Sequence, residues 1–187
     1  MVKRIFDFIL AFILIIMLGI PMLIIVALIK LFSRGPVIFW TDRVGVNNHI
    51  FKMAKFRTMK LNTPQIATHL MRNPKDYLIP CGEFLRKYSF DELPQLFNIL
   101  KGQMSFVGPR PALFNQDDLV ELRTKRNIHT LIPGITGWAQ VNGRDDLPIP
   151  VKVSFDEYYF NHRSFVFDLY IIFLTGIKVM KKEGVQH

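Results

Sequence analysis

An uncharged run of 22 residues, Phe8 to Ile29, limits what this chain can be more than any other feature. At about 1.5 Å per residue a helix of that length reaches roughly 33 Å, enough to cross the hydrocarbon of a bilayer. The run is too long for the apolar core of a cleaved leader and no small-residue cleavage site follows it, so it reads as a retained membrane element. Pro21 sits near its middle with Gly19 close by. A proline there removes one backbone hydrogen bond and crowds the carbonyl four residues back, which predicts a kink or break near Met17 to Ile20. Lys3 and Arg4 precede the run, and Lys30 and Arg34 follow it. Cationic residues favour the cytoplasmic side, so both flanks have reason to stay there. A re-entrant helix that enters and returns within one leaflet satisfies both, whereas a straight span strands Lys3 and Arg4 outside.

The remaining sequence has the length of one catalytic unit within a chain of 187 residues, dividing into a membrane segment at 1–34 and a membrane-associated cytoplasmic domain at 35–187. A net charge of +9 makes nucleic acid, an anionic membrane surface or an anionic substrate the natural partners. The single cysteine, Cys81, excludes an internal disulfide and a cysteine-rich zinc site, in keeping with a reducing compartment. His49, His69, His129, His162 and His187 show no metal-ligand spacing, and neither a Walker loop nor a dinucleotide fingerprint is present.

The fold class expected is α+β, predominantly helical with short strands. Val37 to Trp40 and Ile50 to Phe56 read as strands, and Thr63 to Pro80 as a polar loop with one helical turn. Gly82 to Tyr88 reads as a helix. From Asp91 to Leu100 the residues Leu93, Leu96, Phe97 and Leu100 repeat at the spacing of one buried helix face. Gln116 to Lys125 reads as a charged helix, Leu131 to Gly143 as a glycine-containing loop with a strand around Trp138 to Val141. Ser154 to Tyr159 and Phe165 to Met180 read as helices, the last apolar enough for a core or for the plane of a membrane surface.

Chemistry concentrates in Ser89-Phe90-Asp91-Glu92-Leu93-Pro94, two adjacent carboxylates where a helix is expected to begin. Asp91 can serve as an N-cap and Glu92 as a first-turn charge, which is a sufficient structural account. The other reading makes Asp91 a nucleophile on phosphorus, held near free backbone N–H groups and a positive dipole end. Lys55 and Arg57, in Lys55-Phe56-Arg57-Thr58-Met59, together with Arg86, Arg110 and Arg144, are candidate phosphate-binding groups, since arginine forks two phosphate oxygens. In Gly108-Pro109-Arg110-Pro111 the stiff backbone either aims the Arg110 guanidinium or forms a rigid surface turn. The glycines of Pro133 to Gln140 serve either a tight turn into a strand or a close approach of backbone to a ligand.

Taken together these segments resemble the monotopic phosphoglycosyl transferases of the bacterial sugar transferase family. The likeness runs from Lys3 to about Gly184 and includes the proline-containing membrane segment, Lys55 to Met59, Asp91 to Asn98, Ser105 to Pro111, and Pro133 to Gln140 followed by Asn142-Gly143-Arg144. It corresponds to a minimal catalytic form. The resemblance implies transfer of a sugar 1-phosphate from a UDP-sugar, of the N-acetylated amino-sugar type, to undecaprenyl phosphate with release of UMP. It implies that Asp91 is the covalent nucleophile and Glu92 its partner, that these two help hold Mg2+, and that the work is done at the cytoplasmic face of the inner membrane, beside downstream glycosyltransferases. The pair Ile20-Pro21 departs from the serine–proline pair of the family, leaving any kink to Pro21 and packing. Two further readings are a membrane-tethered nucleic-acid-binding protein, which lacks a nucleic-acid motif and a concentrated basic face, and a non-catalytic scaffold, against which the intact Asp91-Glu92 stands. Nucleic acid is accordingly not an expected partner.

Overall fold

The structure, a computed structural model, describes residues 2–61, 63, 74–143 and 147–181. Seven helices and four strands succeed one another among these: α1 (Val2–Phe32), β1 (Ile38–Val44), β2 (Ile50–Phe56), α2 (Gly82–Lys87), α3 (Gln95–Leu100), β3 (Ser105–Val107), α4 (Asp117–Lys125), β4 (Gly134–Thr136), α5 (Trp138–Asn142), α6 (Ile149–His162) and α7 (Phe165–Lys181). The predominantly helical α+β class expected from the sequence is the one observed.

Helix α1 lies along the rest of the molecule. Ala11, Leu14, Ile15 and Leu18 pack on Met53, Leu96, Ile99 and Met104, and Ile25 and Ile29 pack on Phe56, Ile79 and Leu85. These positions recur at three and four residues, so one stripe of α1 belongs to the core. The opposite stripe, with Phe12, Ile16, Ile20 and Leu23, is exposed. The N-terminal turn is fixed by polar contacts. Lys3 Nζ lies 2.7 Å from Asp168 Oδ2. Arg4 donates to the carbonyls of Ile99 and Leu100 at 2.6 and 3.0 Å, and buried Asp7 accepts from the Ser105 hydroxyl at 2.8 Å. Asp168 also accepts from the Tyr159 hydroxyl at 2.6 Å. The break expected at Met17 to Ile20 is absent, because the helix continues through Pro21 to Phe32. Packing on both sides of Pro21 holds the flanking turns, and the local cost is the one ladder bond proline cannot donate.

Strands β1 and β2 form an antiparallel hairpin, Ile38 opposite Phe56 and Val44 opposite Ile50. Its turn places Asn47 and Asn48 at φ 53° and 61°, a left-handed conformation that asparagine tolerates better than most residues. Helix α3 is pinned to β2 through Asn98, whose carboxamide accepts from Ala54 N–H at 3.1 Å and donates to the Lys52 carbonyl at 2.8 Å. Asn98 is buried, so Asn98→Ala strands a backbone donor and acceptor away from water. This variant is expected to lose about 2–4 kcal/mol of stability, read from thermal or denaturant unfolding in detergent.

Strands β3 and β4 pair in parallel, Ser105 with Gly134 and Val107 with Thr136. A methyl group on Gly134 or Gly137 would fall on the backbone of Gly108, so these glycines serve close backbone packing. This corrects the expected strand at Trp138 to Val141, which forms α5 instead. The strand begins four residues earlier, at Gly134, and Val141 turns inward onto Tyr159 and Ile171. The expected helix from Asp91 also divides, into a 3₁₀ turn at Phe90–Glu92 and α3 from Gln95. Its buried face is Leu96, Asn98 and Ile99, while Phe97 is exposed.

Candidate active site

The carboxylate pair sits where three elements meet. After α2 the chain reverses at Ser89, a non-glycine residue at φ 56°, and enters the 3₁₀ turn that presents Asp91 and Glu92. Left-handed conformations of this kind are disfavoured, and in folded proteins they gather where surrounding structure dictates the geometry. Neither carboxylate caps a helix: α3 begins at Gln95, and no side chain bonds its N-terminus. The capping account of Asp91 therefore fails.

Lys55, on β2, reaches both acids, with Nζ 2.6 Å from Glu92 Oε1 and 3.7 Å from Asp91 Oδ2. The Arg110 guanidinium donates to Glu92 Oε1 at 3.1 Å. All three are withdrawn from water, the side chains of Lys55, Asp91 and Glu92 being 16, 11 and 16% exposed. Arg86, from α2, is oriented by the Thr58 hydroxyl, 2.9 Å from its Nε, and interacts electrostatically with Asp91. Five of the seven residues singled out from the sequence as phosphate-binding or catalytic, Lys55, Arg86, Arg110, Asp91 and Glu92, thus surround the dyad or form it.

The environment separates the two acids. Burial pushes the Asp91 carboxyl above its ordinary range and the neighbouring Glu92 adds to this, while Lys55, Arg86 and Arg110 offset only part of the rise. Burial acts on Glu92 in the same sense, but there Lys55 and Arg110 prevail and hold it well below the usual carboxylate range. One member of the pair is a fixed anion bound to two cations. The other sits in a site that disfavours its charge, which is how a carboxylate is left with something to gain by forming a bond.

Arg57 is not brought to this cluster. It is buried, and donates to the carbonyls of Arg34 and Ser33 at 2.8 and 3.1 Å, tying down the turn that ends α1. Gly35, at φ 105°, makes room for it. Arg144 lies outside the described residues. Thr58 and Asn98 carry roles that side-chain type alone did not reveal. Each lies inside a run already singled out, Lys55 to Met59 and Asp91 to Asn98, and that proximity was the available signal.

Among the described residues no group of three or more metal-ligating side chains gathers at one point. Asp91 and Glu92 offer hard oxygen donors of the kind magnesium takes, and that ion commonly relies on one or two carboxylates with water and substrate phosphates completing its shell. The donor set fits magnesium on those terms.

Comparison with known proteins shows the family. Residues 1–182 match the family described as bacterial sugar transferase. The chain is 39% identical to the sugar transferase EpsL of Bacillus subtilis over 98% of its own length and 90% of that protein. It is 40% identical to the UDP-glucose:undecaprenyl-phosphate glucose-1-phosphate transferase of Escherichia coli, covering 95% of this chain and 40% of the longer relative. It is 38% identical to the UDP-N-acetylgalactosamine-undecaprenyl-phosphate N-acetylgalactosaminephosphotransferase of Aeromonas hydrophila, over 93% of this chain and 42% of that one. With a match over nearly its whole length, the chain belongs to the bacterial sugar transferase family and is a transferase.

Proposed function

We propose that the protein transfers a sugar 1-phosphate from a UDP-sugar to undecaprenyl phosphate through a covalent phosphosugar intermediate on Asp91. The observation that carries this reading is the buried dyad faced by Lys55, Arg86 and Arg110. An Oδ of Asp91 attacks the sugar-proximal phosphorus and the phosphoanhydride P–O bond to UMP breaks, the bridging oxygen and its electron pair leaving with UMP. An oxygen of the polyprenyl phosphate then attacks the same phosphorus. The acyl-phosphate P–O bond breaks and the Asp91 carboxylate is regenerated, the anomeric C–O bond staying intact throughout. Arg86 and Arg110 receive phosphate oxygens, and Lys55 neutralises charge on the dyad and on the group in transit. Asp91 and Glu92 supply the protein oxygens available to a magnesium ion, whose charge when bound offsets that of the diphosphate. Dividing one displacement into two in this way predicts ping-pong kinetics.

The same reading covers membrane attachment. At 31 residues and about 1.5 Å each, α1 is roughly 46 Å long and apolar enough to cross a bilayer, yet both of its ends contact the catalytic domain. A span normal to the membrane would carry Lys3 away from Asp168. We therefore assign both ends to the cytoplasmic face of the inner membrane, with the exposed stripe of α1 in the lipid. Exposed Phe165, Val166, Leu169 and Phe173 of α7 suit the same surface. The lipid-linked product would pass to downstream glycosyltransferases.

Relatives differ in the sugar named, glucose in one and N-acetylgalactosamine in another, so the test uses a panel that spans hexoses and N-acetylated amino sugars. Detergent-solubilised protein is incubated with magnesium and each UDP-sugar, without lipid phosphate, and its intact mass is measured. A sugar-phosphate adduct with release of UMP is expected with the true donor. Turnover with lipid phosphate but no adduct from any donor would mean direct transfer and remove Asp91 as nucleophile.

A further inference from the structure

The guanidinium of Arg110 owes its place to a main chain held carbonyl by carbonyl. The Pro109 carbonyl accepts from Gly134 N–H at 3.0 Å and that of Ala112 from Val44 N–H at 3.0 Å. The Pro111 carbonyl accepts from Arg43 Nη1 at 3.2 Å. The carbonyl of Arg110 itself accepts from Arg123 Nη1 at 2.8 Å. Arg123 belongs to α4, and its other donors are committed: Nε and Nη2 both go to Asp156 Oδ2 on α6, at 3.0 and 2.6 Å. The two side chains are 9 and 2% exposed.

A buried ion pair is a poor device for stability alone, since replacing both partners by apolar groups of similar size is often neutral or favourable. What this pair does that an apolar pair cannot is fix the plane of a guanidinium and aim its remaining N–H at one backbone atom. That atom belongs to the residue whose side chain grips Glu92. The pair touches neither carboxylate and lies beside the apolar cluster of Ala112, Leu119, Ile128 and Val153.

We propose that Arg123 and Asp156 are positioning residues for catalysis, holding the Arg110 backbone so that its guanidinium meets the diphosphate. The inference rests on the function proposed above for the dyad. It predicts that loss of the pair matters only while Arg110 is present.

The test is a double-mutant cycle in which the pair is removed together, Arg123→Met with Asp156→Leu, in wild-type and Arg110→Ala backgrounds. Thermal unfolding controls for folding. Two readouts are taken, kcat and KM for transfer with the accepted UDP-sugar, and UDP affinity by calorimetry in magnesium. Misplacement of a catalytic group by a fraction of an ångström to one ångström can cost up to about 100-fold, so a loss of roughly 10- to 100-fold in kcat/KM is expected, with UDP affinity falling too. In the Arg110→Ala background, removing the pair should change neither readout by more than about twofold, because coupled residues are not additive. Arg123→Lys, which keeps the charge but lacks the fork, should show the same loss and the same dependence on Arg110, and it decides the matter if the paired variant does not fold. Equal losses in both backgrounds, or a folded variant with wild-type kinetics and affinity, would overturn the inference. If the wild type binds UDP yet transfers nothing from any donor, the proposed function fails, and the UDP-binding cycle alone still decides whether the pair acts through Arg110.

Discussion

Asp91→Asn is expected to abolish transfer and the covalent adduct together while making the protein more stable at neutral pH. The first effect follows from removing the proposed nucleophile and should exceed about a thousandfold, since loss of a covalent catalytic group commonly costs that much or more. The second follows from linkage. The Asp91 carboxyl is shifted upward by burial, so it binds its proton more tightly in the folded chain than in the unfolded one. Its contribution to stability is complete below its ordinary value of 3.8 and is lost as pH rises through the folded-state value. Above its ordinary value ionisation favours the unfolded chain, and a neutral carboxamide of the same shape removes that bias. A gain of about 1 kcal/mol would appear as a rise of roughly 2–4 °C in Tm for a chain of this size. The difference from wild type should shrink as pH falls. A Tm lowered at neutral pH would mean that Lys55 and the arginines outweigh burial at this position.

Lys55→Met should be the most damaging change that leaves both acids in place. Lys55 Nζ lies within ion-pair distance of both Asp91 and Glu92, and removing a preorganised cationic group from a site of developing negative charge costs about 10²- to 10³-fold in kcat. Its loss also moves the acid limb of the kcat/KM profile to higher pH, because Lys55 lowers the pKa of both carboxyls. The stability effect has the opposite sign from that of Asp91→Asn, although both differences fade as pH falls. Glu92 is held well below its ordinary value of 4.5, so its stabilising contribution is present above that value and disappears only as pH falls through the folded-state value. The gap between Lys55→Met and wild type is thus widest at neutral pH and closes in acid. Steady-state kinetics across pH and parallel melting curves check both parts. An unshifted acid limb would mean that Arg110 and Arg86 set the ionisation of the dyad without Lys55.

The site was legible where chemistry and position coincide in a short run of sequence. Lys55, Arg86, Arg110, Asp91 and Glu92 carry charges that are costly to bury, and three of the five, Arg110, Asp91 and Glu92, stand beside proline or one another. Arg57 looked identical in kind but is claimed by the carbonyls of Ser33 and Arg34, a contact across more than twenty residues that no local pattern announces. Asn98 and Thr58 were invisible as individuals because their work is done on groups from another element, the backbone of β2 and the guanidinium of Arg86. Secondary structure failed at Trp138 to Val141 for a related reason. The β-prone Trp138 and Val141 are turned inward by α6 and α7, and tertiary packing overrode local preference. At Pro21 the expected break does not occur, and packing on both flanks of α1 holds the helix through to Phe32.

The place of α1 in the fold has a consequence for how the protein is made. Asp7 leaves the ribosome well before its partner Ser105, which follows 98 positions later. At about 5–20 residues per second, that interval lasts roughly 5–20 s. During it the stripe of α1 that will become core, Ala11, Ile25 and Ile29 included, has no protein to cover it, and lipid is the only apolar medium at hand. On the membrane attachment proposed above, the bilayer acts first as a chaperone and only afterwards as an anchor: the nascent helix is surrendered on one side to the strands and helices that arrive later, and kept on the other.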